Sequence, residues 1–296
     1  MDSRTGADAR FVSQPEILPP EPQPGAPQPP EPPQPRGWYP PPPPPPRQRR
    51  RHWASAPATY WLLGINCAVF IAMVFSGASV MAPTVRQVVI WGGNNGTLVF
   101  VYGQWWRLIS AMFVHIGIIH LATNMWCLWN LGLLGEPLLG ELGMFGAYLL
   151  TGFAGNLLSI ALHPGVPGSS ESIVGAGASG AVFGLAGVLI LLLRSPLLPI
   201  PTIERNKLRK NVIYFALINF VIGAGTWFAH TSLQIDNMAH LGGFLSGLAL
   251  GIPLVPRIGA PRTTFLRRRA FALGGMAFLL ILIAWGLRAL YTPAAG

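Results

Sequence analysis

IVGAGASGAVFGLAGVLILLL, residues 173 to 193, carries no charge, five glycines and one serine. Its length meets the roughly 20 apolar residues that a helix needs to cross the hydrocarbon of a bilayer. The same stretch contains Gly175-Ala176-Gly177-Ala178-Ser179-Gly180, which matches the G-x-G-x-x-G spacing of dinucleotide-binding turns. That turn needs a preceding strand in a βαβ unit and an acidic residue about 20 positions on. Here the segment runs into an apolar helix that stops at Arg194, so the membrane reading decides.

The rest of the 296-residue chain agrees, with 51% hydrophobic and 10% charged residues against the roughly 25% charged of soluble domains. Apolar runs predict seven spans: Tyr60–Val80, Phe113–Leu134, Met144–Leu162, Ile173–Leu193, Val212–Phe228, Asn237–Leu254 and Ala270–Leu290. The fold class is an all-α membrane protein.

A net charge of +10 raises the question of nucleic acid, and the placement of the charges answers it. Arg47, Arg49, Arg50 and Arg51 precede the first span, and Arg194, Arg205, Lys207, Arg209 and Lys210 separate the fourth from the fifth. Arg257, Arg262, Arg267, Arg268 and Arg269 follow the sixth. The positive-inside rule puts these clusters and the N-terminus in the cytoplasm and the C-terminus outside, with the plasma membrane as the expected location. The basic balance therefore reads as topology and contact with membrane lipid, and no nucleic-acid partner is expected. Cys67 and Cys127 fall within spans one and two without C-x-x-C spacing and read as packing residues.

Residues 1 to 56 are rich in Pro, Gln and Glu and include the unbroken run Pro40 to Pro46. Such a segment cannot bury a core and reads as a disordered, partly polyproline II tail, either simply solvated or docking an SH3-like partner. Between spans one and two, Trp91, Trp105, Trp106 and Arg107 mark either an interfacial aromatic belt or a partly embedded element. The stretch Thr226 to Asp236, with Trp227, Phe228 and His230, is placed to cap whatever lies beneath it.

Spans two, four and six enter from the same side, and each carries polar groups that lipid does not favour: His115, His120 and Asn124; Ser179; and His240. Counted to the basic or acidic end of each span at 1.5 Å per residue, Ser179, His240 and His120 lie at roughly 22, 25 and 24 Å, one common layer. Gly180, Gly184 and Gly187 on span four, and Gly243, Gly247 and Gly251 on span six, permit close helix contact and favour pairing of the two spans. That pairing brings Ser179 toward His240. A serine beside a neutral imidazole suffices for acyl transfer, the imidazole taking the hydroxyl proton and returning it to the leaving amine. His120 and Asn124 are four apart on one face and, with the Ser179 amide, make candidate oxyanion donors. His115 lies off that face and reads as structural. Asp236, one turn before His240, is a possible third member of a triad, but a solvated end-of-helix carboxylate is the simpler reading. A dyad is therefore favoured, with Phe183, one turn after Ser179, as the candidate to stack on the imidazole.

In Trp106-Arg107, the H-x4-H-x3-N of His115 to Asn124, the G-x-S-G of Gly177 to Gly180, and the A-H-x-x-G-x-x-x-G of Ala239 to Gly247, the sequence resembles the rhomboid intramembrane proteases. The likeness runs from about Pro57 to Pro256. It implies a six-helix rhomboid bundle at 57–256, to which 257–296 adds a basic loop and one extra C-terminal transmembrane helix (6+1). It further implies serine endopeptidase activity on transmembrane protein substrates and no metal or organic cofactor. It carries over Ser179 and His240 as the dyad, with His120, Asn124 and the Ser179 amide around the oxyanion. It also implies that Arg107 belongs to a structural first loop, that span five with its following loop gates access, and that small residues are often preferred at the cleavage site. Phe183 stands where many relatives have Tyr, which keeps the ring and loses a hydroxyl. The competing reading is a catalytically silent rhomboid-like protein that binds membrane clients.

Overall fold

In lipid every backbone N–H and C=O needs a partner within the chain, which leaves helices as the local solution for these apolar runs. The computed structural model describes residues 56–165, 173–198, 200–228, 236–255 and 262–291, with backbone only at 224–228. The proline-rich segment before Ala56 and His230 lie outside the described residues, as do the side chains of Trp227 and Phe228. The described residues form ten helices: α1 (Pro57–Phe75), α2 (Val85–Ile90), α3 (Gly96–Phe100), α4 (Arg107–Ser110), α5 (Ile118–Leu139), α6 (Glu141–Leu162), α7 (Ser179–Leu192), α8 (Thr202–Phe228), α9 (Asn237–Leu254) and α10 (Arg262–Tyr291). Each of the seven expected spans has its helix. By length and composition α1, α6 and α10 are long and apolar enough to cross a membrane, whereas α7 is a shorter apolar helix.

Several boundaries differ from expectation, each for a local reason. Span one ends at Phe75, where Gly77 turns the chain at φ 91°. Span two begins at Ile118, because Phe113 to Gly117 are not helical and end in Gly117 at φ 130°. His115 therefore precedes the helix. Span four loses its first six residues: Gly175 exchanges both backbone hydrogen bonds with Asn94, and Gly177 has φ 125°, so α7 starts at Ser179 itself. Helices α8 and α10 begin earlier than their apolar runs, at Thr202 and Arg262, because helical backbone continues through basic residues that a hydropathy criterion assigns to water.

The connection between α1 and α5 is built rather than loose. Thr84 and Gln87 close a reciprocal capping box on α2, and Asn95 caps α3. Arg107 is 6% exposed and donates from Nη1 to the carbonyls of Val89 and Gly93 at 2.7 and 3.0 Å, and from Nε to Gln104 at 2.6 Å. Trp106 lies beside it, its ring 4.6 Å from the guanidinium. A buried cation that saturates backbone carbonyls fixes the loop's path.

Helix α7 lies within the bundle, packing against α5, α6, α8 and α9. On the side remote from Ser179, the carboxyl group of Glu136 on α5 accepts from the backbone N–H groups of Ala58 and Thr59 and from the Thr59 hydroxyl, at 2.9, 2.7 and 2.7 Å. It thereby satisfies donors that the first turn of α1 leaves open. Helix α10 lies along α6 from one end to the other. Its Arg269 donates to the Leu139 carbonyl at 2.8 Å, and its Tyr291 hydroxyl donates to Ala161 at 2.9 Å. Cys127 is buried and Cys67 half-buried, both as free thiols.

Replacing Glu136 with Ala strands three donors at the start of α1 and is expected to lower the stability of the detergent-solubilised protein by about 3 kcal/mol. Glu136→Gln, which keeps one acceptor oxygen, should lose less. Denaturant unfolding of the three proteins measures this, and equal stability would show that the cap carries no weight.

Candidate active site

The seam between α7 and α9 is a contact of backbones. A Cβ at Gly243 would collide with the Gly180 carbonyl, and one at Gly247 with the Gly184 carbonyl. A Cβ at Gly187 would come within 2.5 Å of the Phe244 carbonyl oxygen. Helix α6 joins the same contact, since Gly155 sits against the Ala239 carbonyl. Only glycine lets three helices approach this closely.

The seam fixes what stands on its two sides. Ser179 is the first residue of α7 and half-buried, on the wall of a cavity of about 310 Å³ that also exposes His120, Asn156, His163, Asp236 and Asn237. One turn on, the Phe183 ring lies 4.3 Å from the His240 ring at an interplanar angle of 14°, a parallel stack. The imidazole is thus held on the α7 surface near the serine's turn, and His240 is 4% exposed. Neither of its ring nitrogens has a hydrogen-bond partner, so no Ser179–His240 hydrogen bond is formed in this structure.

The segment entering α7 is fastened to its surroundings. Gly177 N–H donates to Ala111 at 2.9 Å, and Ala178 N–H approaches His115 Nε2 at 3.5 Å. His115 Nδ1 lies 3.3 Å from the Phe113 carbonyl, a pattern that requires the proton on Nδ1. His115 and His120 lie with ring centroids 5.3 Å apart. The His120 ring covers the α-carbon of Gly177, where an added Cβ would approach its Cε1 to 2.5 Å. Gly177 is therefore required twice, by its positive φ and by the imidazole above it. Asn124 is buried near this face, but its amide nitrogen donates back to the His120 carbonyl at 2.9 Å.

Asp236 differs from the solvated carboxylate expected of it. It is half-buried at the N-cap of α9, where Oδ1 accepts from Ala239 N–H at 2.9 Å and Oδ2 accepts a short hydrogen bond from the Ser159 hydroxyl of α6. Both oxygens are engaged in fastening α9, and neither bonds the His240 ring.

Sequence reasoning missed three residues. Asn156 on α6 donates to the Leu108 carbonyl at 2.9 Å and accepts at its backbone oxygen from Asn94 at 2.9 Å. Asn94, Asn156 and Ser159 together tie the first loop, α6 and α9 around the cavity. Their signal was present as polar residues that a membrane interior does not tolerate unpaired.

A rhomboid domain model matches residues 102–257, more than half of the chain. The chain belongs to the rhomboid family. It is 30% identical over 205 residues to the rhomboid protease GluP of Bacillus subtilis, covering 68% of this chain and 36% of that protein. Over 152 residues it is 36% identical to the RHOMBOID-like protein 6, mitochondrial, of Arabidopsis thaliana, covering 51% and 44%. It is 31% identical over 191 residues to the Rhomboid-like protease 2 of Toxoplasma gondii, covering 64% and 62%. This rhomboid thus spans about a third to three fifths of the length of these relatives. The family is one of integral membrane proteins and its matched members include proteins named as proteases.

Placing Ala at Gly177 is expected to cost this rhomboid about 1 to 3 kcal/mol, from the positive φ and the displaced His120 ring. Gly64→Ala, where an added Cβ meets nothing, should be neutral or stabilising. Thermal unfolding of the two variants side by side checks the contrast. Equal midpoints would mean that the loop before Ser179 is not constrained as described.

Proposed function

We propose that this rhomboid is an intramembrane serine endopeptidase that cleaves transmembrane protein substrates through an acyl-enzyme, with Ser179 as nucleophile and His240 as general base. The observation that carries the reading is the stack of His240 on Phe183, one helical turn from Ser179, beside a glycine seam that brings α9 into backbone contact with α7. The His240 nitrogens are buried and unpaired, which leaves a ring nitrogen free to accept the serine hydroxyl proton. Catalytic hydrogen bonds in ligand-free proteins are often long and tighten once substrate binds.

The oxyanion falls at the start of α7. The first amides of any helix lack intrahelical acceptors and carry the positive end of its dipole, so the Ser179 amide is suited to a developing negative charge. His120, which faces the cavity with Nδ1 unpaired, is the side-chain donor on this reading. Asn124 contributes its second amide hydrogen, the first being spent on the His120 carbonyl. Gly177 and Gly180 keep the approach to Ser179 clear, while Trp106, Arg107 and His115 hold the surrounding loops. Asp236 has no part in proton transfer, which leaves a dyad.

Residues 57–256 make the six-helix catalytic unit of this reading. Helix α10 is a seventh helix at the periphery, supported by its packing on α6 and α9 and its large exposed face. The basic clusters support a cytoplasmic N-terminus and an outside C-terminus, and on this reading the chain resides in the plasma membrane. Residues 1–56 serve as a cytoplasmic tail open to a partner.

A fluorophosphonate probe should label the purified full chain and fail to label Ser179→Ala. His240→Ala should insert normally yet lose cleavage of a model transmembrane substrate by at least about a hundredfold, the scale of a general base. Labelling that survives Ser179→Ala would remove Ser179 as nucleophile, and full turnover by His240→Ala would remove His240 as base. An unaltered chain that neither labels nor cleaves would favour a protein that binds membrane clients without cutting them.

A further inference from the structure

Between α9 and α10, away from the Ser179 cavity, the bundle leaves a groove of about 490 Å³. Leu250 and Pro253 of α9 face Phe271, Gly275 and Met276 of α10, with Arg268 at one end and Leu279 at the other. From Arg268 to Leu279 the groove runs roughly 16 Å at 1.5 Å per residue. That is about half of the roughly 30 Å hydrocarbon core, the depth of one leaflet. The groove is open to one side and lined mainly by apolar side chains, which suits a hydrocarbon chain.

The charge at the mouth points the same way. Arg262, Arg267, Arg268 and Arg269 crowd the first two turns of α10. Arg269 is committed to the Leu139 carbonyl, and Arg267 lies over the Phe271 ring at 5.5 Å. Arg268, on the groove itself, has no hydrogen-bond or ion-pair partner among the described residues. A Cβ added at Gly275 meets no atom within 4 Å. The chain's own packing therefore does not require glycine there, and glycine keeps the floor of the groove low.

We propose that this groove binds one anionic phospholipid from the leaflet on the basic side, its phosphate on Arg268 and an acyl chain along Gly275 and Met276. The charged mouth and the apolar, leaflet-deep channel match the two halves of one such molecule. The bound lipid would fill the gap between α9 and α10. The proposal is independent of the protease reading, so Ser179→Ala should retain lipid as the unaltered chain does.

Native mass spectrometry of the full chain in detergent, supplemented with phosphatidylglycerol or with phosphatidylcholine of the same acyl chains, tests it. One phosphatidylglycerol should be retained about fivefold better than phosphatidylcholine, the scale of one arginine's attraction to an anionic headgroup. Arg268→Gln should abolish that preference, and Arg262→Gln should keep most of it. Gly275→Leu, which fills the channel, should lower retention of both lipids, whereas Gly274→Leu, equally free of internal clashes, should not. If Gly275→Leu fails to fold, the two arginine variants decide alone. Equal retention of the two lipids, or equal effects of Arg268→Gln and Arg262→Gln, would overturn the site.

Discussion

Hydrocarbon tails are as apolar as the helices they surround, so burial of apolar area gives membrane helices little reason to associate, and close van der Waals contact has to supply it. In this chain that contact is made where α7 and α9 touch through their backbones at Gly180, Gly184 and Gly187 on one side and Gly243 and Gly247 on the other. Gly155 brings α6 into the same junction against the Ala239 carbonyl. Side chains flanking such a seam have little freedom. Ser179, Phe183 and His240 are its immediate neighbours, and the ring stack is the consequence.

A second constraint is that buried polar groups must be paired, and much of the framework follows from it. Glu136 holds the start of α1, Arg107 holds the first loop, and Asp236 with Ser159 holds the start of α9. Buried polar atoms left unpaired include Nδ1 of His120 and Oδ1 of Asn237, two residues that line the Ser179 cavity, and both nitrogens of His240. Unpaired atoms on the cavity wall are open to a ligand that completes them.

Much of this was legible in the sequence because its signals are local. Long apolar runs located all seven principal helices, and small residues at four-residue spacing pointed to the α7–α9 pairing. The misses arose where distant partners override local pattern. Nothing within residues 173–178 indicates that Gly175 pairs with Asn94, yet that bridge moves the start of the helix to Ser179. Asn156 and Asp236 gave no hint of their partners, which lie 48 and 77 positions away in the chain. The basic turns that open α8 and α10 were hidden for the opposite reason, since helix continues where hydropathy ends.

The central claim is that the α7 hydroxyl and the α9 imidazole work on one reacting centre. A crystal structure of the chain after reaction with a fluorophosphonate measures this most directly. The account predicts phosphorus bonded to Ser179 Oγ, a phosphonyl oxygen accepting from the Ser179 amide, and a His240 ring nitrogen turned to the adduct while Phe183 still covers the ring. An adduct on another side chain, or an imidazole facing away from it across the seam, would contradict the account.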